Sequence, residues 1–417
     1  MIPVVTPAEM KAIDEAAPEP VDVLVERAGE ATFRAALDLL GGTYGRRVVL
    51  VAGKGNNGAD GRSAARRLRR RGVRVVELDA VDLPAELPDA DLLVDAAYGT
   101  GFRGDWTPPP VPAGCQVLAV DIPSGIDGLT GVAHGDPWPA DLTITFAALK
   151  PGLLLRDGPG RAGEVRRADI GLDTGTARIH VVEPADVAAW LPDRPHDAHK
   201  WQAACWIVAG SPGMTGAAHL SAAGAQRAGA GYVRLSTPGL EHDPGAPTEV
   251  VGVELPAEGW ADAVLADVDR IAALGVGPGL GRGDAAAEAV RALVAATGRP
   301  PMVVDGDGLS ALADVEGELA GVVLTPHDGE LARLGADVDA PDRIAEVRAL
   351  AARRGAVVLA KGSTTVVAAP DGRVLLGTSG DARLATAGTG DVLTGALTAL
   401  LARGLEPLEA AAAAAHL

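Results

Sequence analysis

Short apolar runs recur along this chain, separated by glycine-rich loops and by stretches where apolar positions return every three or four residues. Thr6–Ala17 and Val21–Leu40 carry that spacing and are predicted helices. Val48–Ala52 is a β-branched run leading into Gly53–Gly61, read as a loop, and then an arginine-studded helix over Arg62–Arg71. Val73–Leu78, Leu92–Asp95, Gln116–Asp121 and Asp141–Ala147 follow as predicted buried strands. Apolar runs alternating with helices predict a parallel sheet covered on both faces.

The pattern dissolves between Glu183 and His199 into Glu-Pro, Leu-Pro and Arg-Pro steps, which predicts a boundary. A second series of strands then begins: Cys205–Ala209, Tyr232–Ser236, Ile271–Val276, Met302–Asp305, Val322–Thr325, Val357–Ala360 and Thr365–Ala368. Two α/β domains are therefore expected, 1–183 and 184–417. No fixed-period repeat is visible. Leu408–Leu417 starts an amphipathic helix at which the chain stops, so a truncated C-terminus is expected.

Composition narrows the function classes. The 417 residues are 47% apolar and 22% charged, which is a globular composition with ample core material. A net charge of −18 and 3% aromatics argue against a basic, base-stacking nucleic-acid surface. No apolar run reaches the length of a membrane span, and Met1–Pro20 lacks a secretory pattern. Cys115 and Cys205 make neither a disulfide framework nor a zinc cluster. A cytoplasmic protein acting on metabolites is expected. There are 32 Arg but five Lys, and Lys54, Lys150, Lys200 and Lys361 all fall in loop motifs, where a compact, movable ammonium has uses that a planar guanidinium lacks.

In open parallel sheets, ligands bind beyond the carboxyl ends of the strands. The unusual residues of the first half sit there. Gly53-Lys54-Gly55-Asn56-Asn57-Gly58-Ala59-Asp60-Gly61 has dinucleotide-loop spacing, although a bare turn can share it. Asp95 ends another strand ahead of Gly99-Thr100-Gly101-Phe102-Arg103-Gly104-Asp105, and Asp121 precedes Ile122-Pro123-Ser124-Gly125. Each Asp alone reads first as a helix cap or loop anchor, and three strand ends each carrying Asp beside Gly shift that balance. Together, Asn57, Asp95 and Ser124 offer oxygen ligands for a hard cation, and Asp121 is a candidate proton-transfer group.

In the second half, Thr386-Ala387-Gly388-Thr389-Gly390-Asp391 runs into a helix whose free amides can hold a transferring phosphoryl group. Asp391 stands where it can accept a hydroxyl proton. Lys361-Gly362-Ser363-Thr364-Thr365 offers a cation and hydroxyls to phosphates, and Gly277–Gly281 is a further turn. His327 ends a strand, which is commonly a structural position. Asp305 and Asp307 can hold Mg²⁺ through water or cap the next helix. No Walker-type ending is present, and His196 and His199 lack a third ligand.

The segments "LVERAG", "GKGNNGADG", "DAAYGTGFRG", "VDIPSGIDGLTG" and "LKPGLLL", in that order over about residues 1–182, resemble the NAD(P)H-hydrate epimerase family. Over about 196–400, "AGSPGMTGAAHLSAAGAQRAGAGYV", "GVGPGLG", "VVDGDGLS", "LTPHDGEL", "LAKGSTTVV" and "AGTGDVLTG" resemble the ADP-dependent NAD(P)H-hydrate dehydratases. The resemblance implies an α/β chain with an N-terminal Rossmann-like three-layer sandwich and a C-terminal ribokinase-like domain. It implies interconversion of the C6 epimers of NADHX and NADPHX, and dehydration of the S epimer driven by ADP.

By the same resemblance, Asn56, Asn57, Gly58, Ala59, Asp60 and the run Gly99, Thr100, Gly101, Phe102, Arg103, Gly104 and Asp105 bind the hydrate in the first half. K⁺ lies on Asn57, Asp95 and Ser124, and Asp121 with Lys150 does the proton chemistry. In the second half Ala217, Gly279, His327 and Asp391 would meet the hydrate. Lys361, Gly362, Ser363, Thr364, Thr365, Gly388, Thr389 and Gly390 would meet the nucleotide with Mg²⁺. A homo-oligomer is also implied. Ala59 stands where the family usually has Gly, Gly306 and Gly308 where it has Ala, Ser310 where it has Asn, and "HKWQAAC" departs from the usual His-Lys-Gly opening. Two other readings compete. A vitamin-precursor kinase would share the Gly-Thr-Gly-Asp site but not the first half. A non-catalytic nucleotide or RNA scaffold would not need Asp121, and RNA is opposed by the charge.

Overall fold

The computed structural model describes residues 1–315 and 317–417. They form two compact units, Ile2–Arg178 and Ile179–Leu417, Met1 grouping with the latter.

The first unit is built on a six-stranded parallel sheet in the order Arg74–Asp79, Arg47–Ala52, Leu92–Ala96, Gln116–Val120, Leu142–Phe146, Glu164–Ala168. Alternation along each strand divides its core. Val48, Leu50 and Ala52 face the helices Val21–Leu40 and Asn56–Arg70. Val49 and Val51 face Leu87, Trp106 and Trp138, which arrive on connecting segments. Both faces are thus covered, and strand ends stay open for ligand chemistry.

Two expectations need correction here. The helix after the first strand begins at Asn56, not Arg62, so Asn56–Asp60 lie on its first turns and not in a loop. Asn and Gly favour loops by local propensity, but here the strand-to-helix crossover overrides it. The turn needs glycine for closeness: a β-carbon on Gly58 would lie 2.0 Å from the Gly53 carbonyl oxygen, and one on Gly53 2.0 Å from that of Ala97. The strand at Arg74–Asp79 is largely exposed, because it is the sheet edge and not a buried member.

In the second unit the order is Ile179–Val181, Val374–Gly377, Thr365–Ala368, Val357–Ala360, Val322–Leu324, Met302–Val304, Ala273–Val276, Ala204–Val208, Tyr232–Ser236, Val251–Gly252. Neighbours are parallel, except that Thr365–Ala368 runs antiparallel to both of its own. Helices Gly216–Arg227 and Thr389–Ala402 pack backbone to backbone through small residues. A β-carbon on Gly395 would fall 1.8 Å from the Ser221 carbonyl oxygen. Helix Pro407–His416 is formed, with Leu408 and Ala410–Ala414 in the core. The proline-rich stretch after Glu183 is not wholly irregular either. Pro184–Trp190 is helical, because Pro184 occupies the first turn, where its missing N–H costs nothing.

Candidate functional site

In the first unit, the carboxyl ends of three adjacent strands bring Asn57, Asp95, Asp121 and their neighbours together. Asp121 follows Gln116–Val120 with φ of 66°, a conformation Asp tolerates better than most residues, and its N–H donates to the Ile144 carbonyl at 2.7 Å. That twist turns its carboxylate toward Lys150, whose Nζ donates to Asp121 Oδ1 at 2.5 Å. Lys150 is 1% exposed and is held further by Thr145 Oγ1 at 2.9 Å and the Phe146 carbonyl at 3.1 Å. The pair predicted from sequence is therefore a fixed ion pair with one oxygen edge open.

Asp60, from the second turn of helix Asn56–Arg70, belongs to the same electrostatic cluster. Its carboxyl is pushed up to about 8, first by burial, then by the charges of Asp121 and Asp14, against which Lys150 acts. Asp14 is also raised by burial and by Asp121, with Lys150 opposing. Three carboxyls thus share one ammonium, and Asp60 keeps its proton at neutral pH. A group raised in the folded state contributes stability that is present below its unfolded value, near 4, and is lost as pH rises through about 8. The melting temperature of the first unit is expected to fall from pH 6 to pH 9. Asp60→Asn should flatten that slope and raise the midpoint at pH 9 by about 3–6 °C. Parallel slopes in differential scanning calorimetry would contradict the assignment.

Asp95 ends its strand 1% exposed. Its carboxylate accepts from Ser124 N at 2.8 Å, Ser124 Oγ at 2.6 Å and Ala97 N at 3.3 Å, all neutral donors. Burial raises its pKa against those hydrogen bonds. Beside Gly99, Asn57 has both side-chain amide atoms buried with no hydrogen-bond partner among the described residues. An uncompensated buried carboxylate, a hydroxyl and an orphaned amide oxygen make a donor set that fits a weakly held, oxygen-liganded monovalent cation.

The Gly99–Asp105 loop divides. Gly99 lies against Asn57 and Asp121, Thr100 against Gly128, and Phe102 stacks at 4.4 Å on Tyr98. Arg103 donates to the Phe102 carbonyl, and Asp105 is exposed at the far end. Asn56 is exposed on the first helical turn, and Ala59 is half-buried on the helix, where a methyl is accommodated.

In the second unit, five neighbouring strand ends supply the candidate site. Gly279 lies against Ala217, a β-carbon on it reaching within 3.2 Å of the Ala217 methyl. Gly388, at φ of 96°, caps helix Thr389–Ala402; Thr389 N–H donates to the Thr386 carbonyl at 3.4 Å, and the first-turn amides of Gly390 and Asp391 have no partner within the helix. Thr386 and Thr389 hydroxyls meet at 3.1 Å. Lys361 sits directly beneath Gly390, 3.4 Å from where a β-carbon would be. Gly362, Ser363 and Thr364 make the turn that follows Lys361, with Gly362 and Ser363 exposed, and Thr365 opens strand Thr365–Ala368. Burial raises the Asp391 carboxyl above its ordinary value, Asp305 raises it further and Lys361 opposes.

His327 is less free than the sequence suggests. Its Nδ1 accepts from Gly329 N at 3.0 Å as a helix cap, although its ring remains exposed and adjoins Glu330. Three residues were weighted too lightly or missed by sequence reading. Asp305 is bonded to Lys361 at 2.8 Å and to Thr394 at 2.9 Å, and Glu330, 7% exposed, lies 3.9 Å from Lys361. Asp305 carried the signal of an acidic residue closing an apolar strand; Glu330 in helix Asp328–Arg333 and Thr394 in helix Thr389–Ala402 carried none. Asp307 accepts from Gly281 N and Arg282 and is a loop anchor. With both carboxylates engaged, Asp305 and Asp307 do not fit as direct Mg²⁺ ligands. Among the described residues no cluster of three His, Cys, Asp or Glu is placed to hold a metal, and no helix is long and apolar enough to cross a membrane.

Residues 205–417 match the family model described as NAD(P)H-hydrate dehydratase, and residues 21–85 and 77–152 match that of the YjeF-related protein N-terminus. The chain is 38% identical to the bifunctional NAD(P)H-hydrate repair enzyme of Salinibacter ruber, over 99% of this chain and 90% of that one. It is similar in fold to a ribokinase-like superfamily protein from Enterococcus faecalis, with a TM-score of 0.52, 23% identity, and coverage of 57% of this chain and 85% of that one. It is also 32% identical to the Bacillus subtilis ADP/ATP-dependent NAD(P)H-hydrate dehydratase crystallised with ATP and Mg²⁺, covering 55% of this chain and 83% of that one, with a TM-score of 0.47.

Proposed function

This chain belongs to the family of bifunctional NAD(P)H-hydrate repair enzymes, and from that premise we propose how its two sets of strand ends share the repair. The first unit interconverts the R and S epimers at C6, and the second dehydrates the S epimer at the expense of ADP, releasing AMP and phosphate. The observation that carries the reading is the presence of two separate, chemically different constellations: an Asp–Lys pair with a protonated carboxyl, and a helix mouth with a Lys and an Asp.

In the epimerase unit, Asp121 and the protonated Asp60 offer a base and an acid on neighbouring elements. C6 carries its hydroxyl next to the ring nitrogen, so proton transfer to that oxygen loosens it and re-addition can occur on either face. Lys150 holds the Asp121 carboxylate in a fixed direction. Asn57, Asp95 and Ser124 would hold K⁺, which when bound supplies positive charge beside the nucleotide. Exchanging K⁺ for tetramethylammonium should slow epimerisation by at least about tenfold and leave dehydration untouched. Equal rates in both salts would remove the ion from the scheme.

In the dehydratase unit, the first-turn amides of helix Thr389–Ala402 and Lys361 hold the transferring phosphoryl group. Asp391 accepts the C6 hydroxyl proton as that oxygen attacks phosphorus. The phosphate then leaves from C6 with a proton from C5, restoring the dihydronicotinamide ring. Residence in the cytoplasm and a homo-oligomeric state accompany this reading.

The test follows recovery of reduced-nicotinamide absorbance from mixed R and S NADH hydrate with ADP or ATP. Full recovery is expected with ADP. Recovery that stalls at the S fraction would overturn the epimerase assignment, and none with either nucleotide would overturn the dehydratase assignment.

A further inference from the structure

Asp305 touches three pieces of the second site at once. It ends strand Met302–Val304 and is 3% exposed. Its backbone is clamped, N–H to the Val276 carbonyl at 3.1 Å and C=O to Gly308 N at 3.1 Å. Its two carboxylate oxygens are divided between elements. Oδ1 accepts from Lys361 Nζ at 2.8 Å, at the end of strand Val357–Ala360. Oδ2 accepts from the fully buried Thr394 hydroxyl at 2.9 Å, in the second turn of helix Thr389–Ala402. Both bonds lie under Gly390, where a β-carbon would stand 3.4 Å from Lys361 Nζ and 3.5 Å from Asp305 Oδ2.

A lysine ammonium is a mobile point charge on a four-carbon stem, so something must fix it before it can meet one particular phosphoryl oxygen. Resting on the dehydratase reading above, we propose that Asp305 is a positioning residue for phosphoryl transfer: it ties Lys361 to the mouth of helix Thr389–Ala402 so that cation and amides address the same group. The tie costs the site some anion affinity, because Asp305 and Glu330 both offset the Lys361 charge. Asp305 therefore serves alignment in the transition state at the expense of ground-state attraction, the pattern expected when binding energy is reserved for the reacting geometry. It also faces Asp391, whose carboxyl it helps hold up, with Lys361 the opposing charge.

The experiment uses the full-length Asp305→Asn chain with (S)-NADH hydrate and ADP. We expect kcat to fall on the order of 100-fold, as for a misplaced reacting group, while the nucleotide KM stays level or drops. The acid limb of the kcat profile should shift to lower pH, since Asp391 loses a like charge. Epimerase turnover by the same chain reports that the rest of the protein is intact. Thr394→Val should reproduce part of the kcat loss, and Thr394→Ser should restore it. An unchanged kcat, or a rise in KM with an unmoved acid limb, would overturn the proposal, the latter marking a merely structural carboxylate. If the unsubstituted chain itself fails to dehydrate, the dehydratase reading falls instead.

Discussion

Replacing Asp121 with asparagine is expected to cut epimerisation by about a thousandfold, within the range for loss of a proton-transfer group, while dehydration of the S epimer continues. Asparagine preserves the volume and the Thr145 contact but neither takes a proton nor balances Lys150. Because Lys150 is 1% exposed, the variant leaves a buried ammonium without its carboxylate. Removing one member of a buried pair costs about 3–5 kcal/mol, so the first unit should also melt earlier. Stability and chemistry can be separated with Asp121→Asn/Lys150→Met, which removes both charges. The double variant should regain most of the lost stability and none of the activity. Epimerisation above the spontaneous background in either variant, read by chiral separation of the hydrates, would take Asp121 out of the mechanism.

Asp391→Asn should reduce dehydration by about 10²–10⁴-fold with epimerisation unchanged. Here the stability cost is small and of the opposite sign. An acidic residue in the first turn of helix Thr389–Ala402 gains about 0.3–1 kcal/mol from the helix dipole. Burial and the nearby Asp305 work against that charge. The variant should melt at or slightly above the parent temperature and bind ADP at least as tightly. Since the Asp391 carboxyl is raised, the parent dehydratase rate should fall on the acid side at a higher pH than an ordinary aspartate would give, and that limb should vanish in the variant. A variant that keeps the parent rate and acid limb would show that another group accepts the hydroxyl proton.

Much of this was legible in the chain because parallel strands buried on both faces write near-continuous apolar runs, and Val48–Ala52, Tyr232–Ser236 and Val357–Ala360 all proved to be strands. Edge strands carry no such signature. Glu164–Ala168, at the sheet edge, reads Glu-Val-Arg-Arg-Ala, while Val374–Gly377 is an interior buried strand of only four residues between Thr365–Ala368 and Ile179–Val181, too short a run to stand out. The helix start at Asn56 was hidden by residues that locally favour a turn.

The glycine loops, the aspartates at strand ends and the Gly-Thr-Gly-Asp helix mouth are local in sequence, so residue type and spacing alone were enough to mark where chemistry sits. Their states were not local. Asp305 meets Lys361 across 56 positions and Thr394 across 89, and no spacing rule links residues that far apart. The proton on Asp60 depends on burial and on the charges of Asp14 and Asp121, brought near it from other elements. The orphaned amide of Asn57 depends on what fails to reach it. Hydrophobic periodicity and turn chemistry are properties of neighbouring residues and were determined by the sequence by itself. Ionisation, unpaired polarity and alignment depend on local dielectric and on partners that only the folded chain assembles, so the tertiary structure decided them.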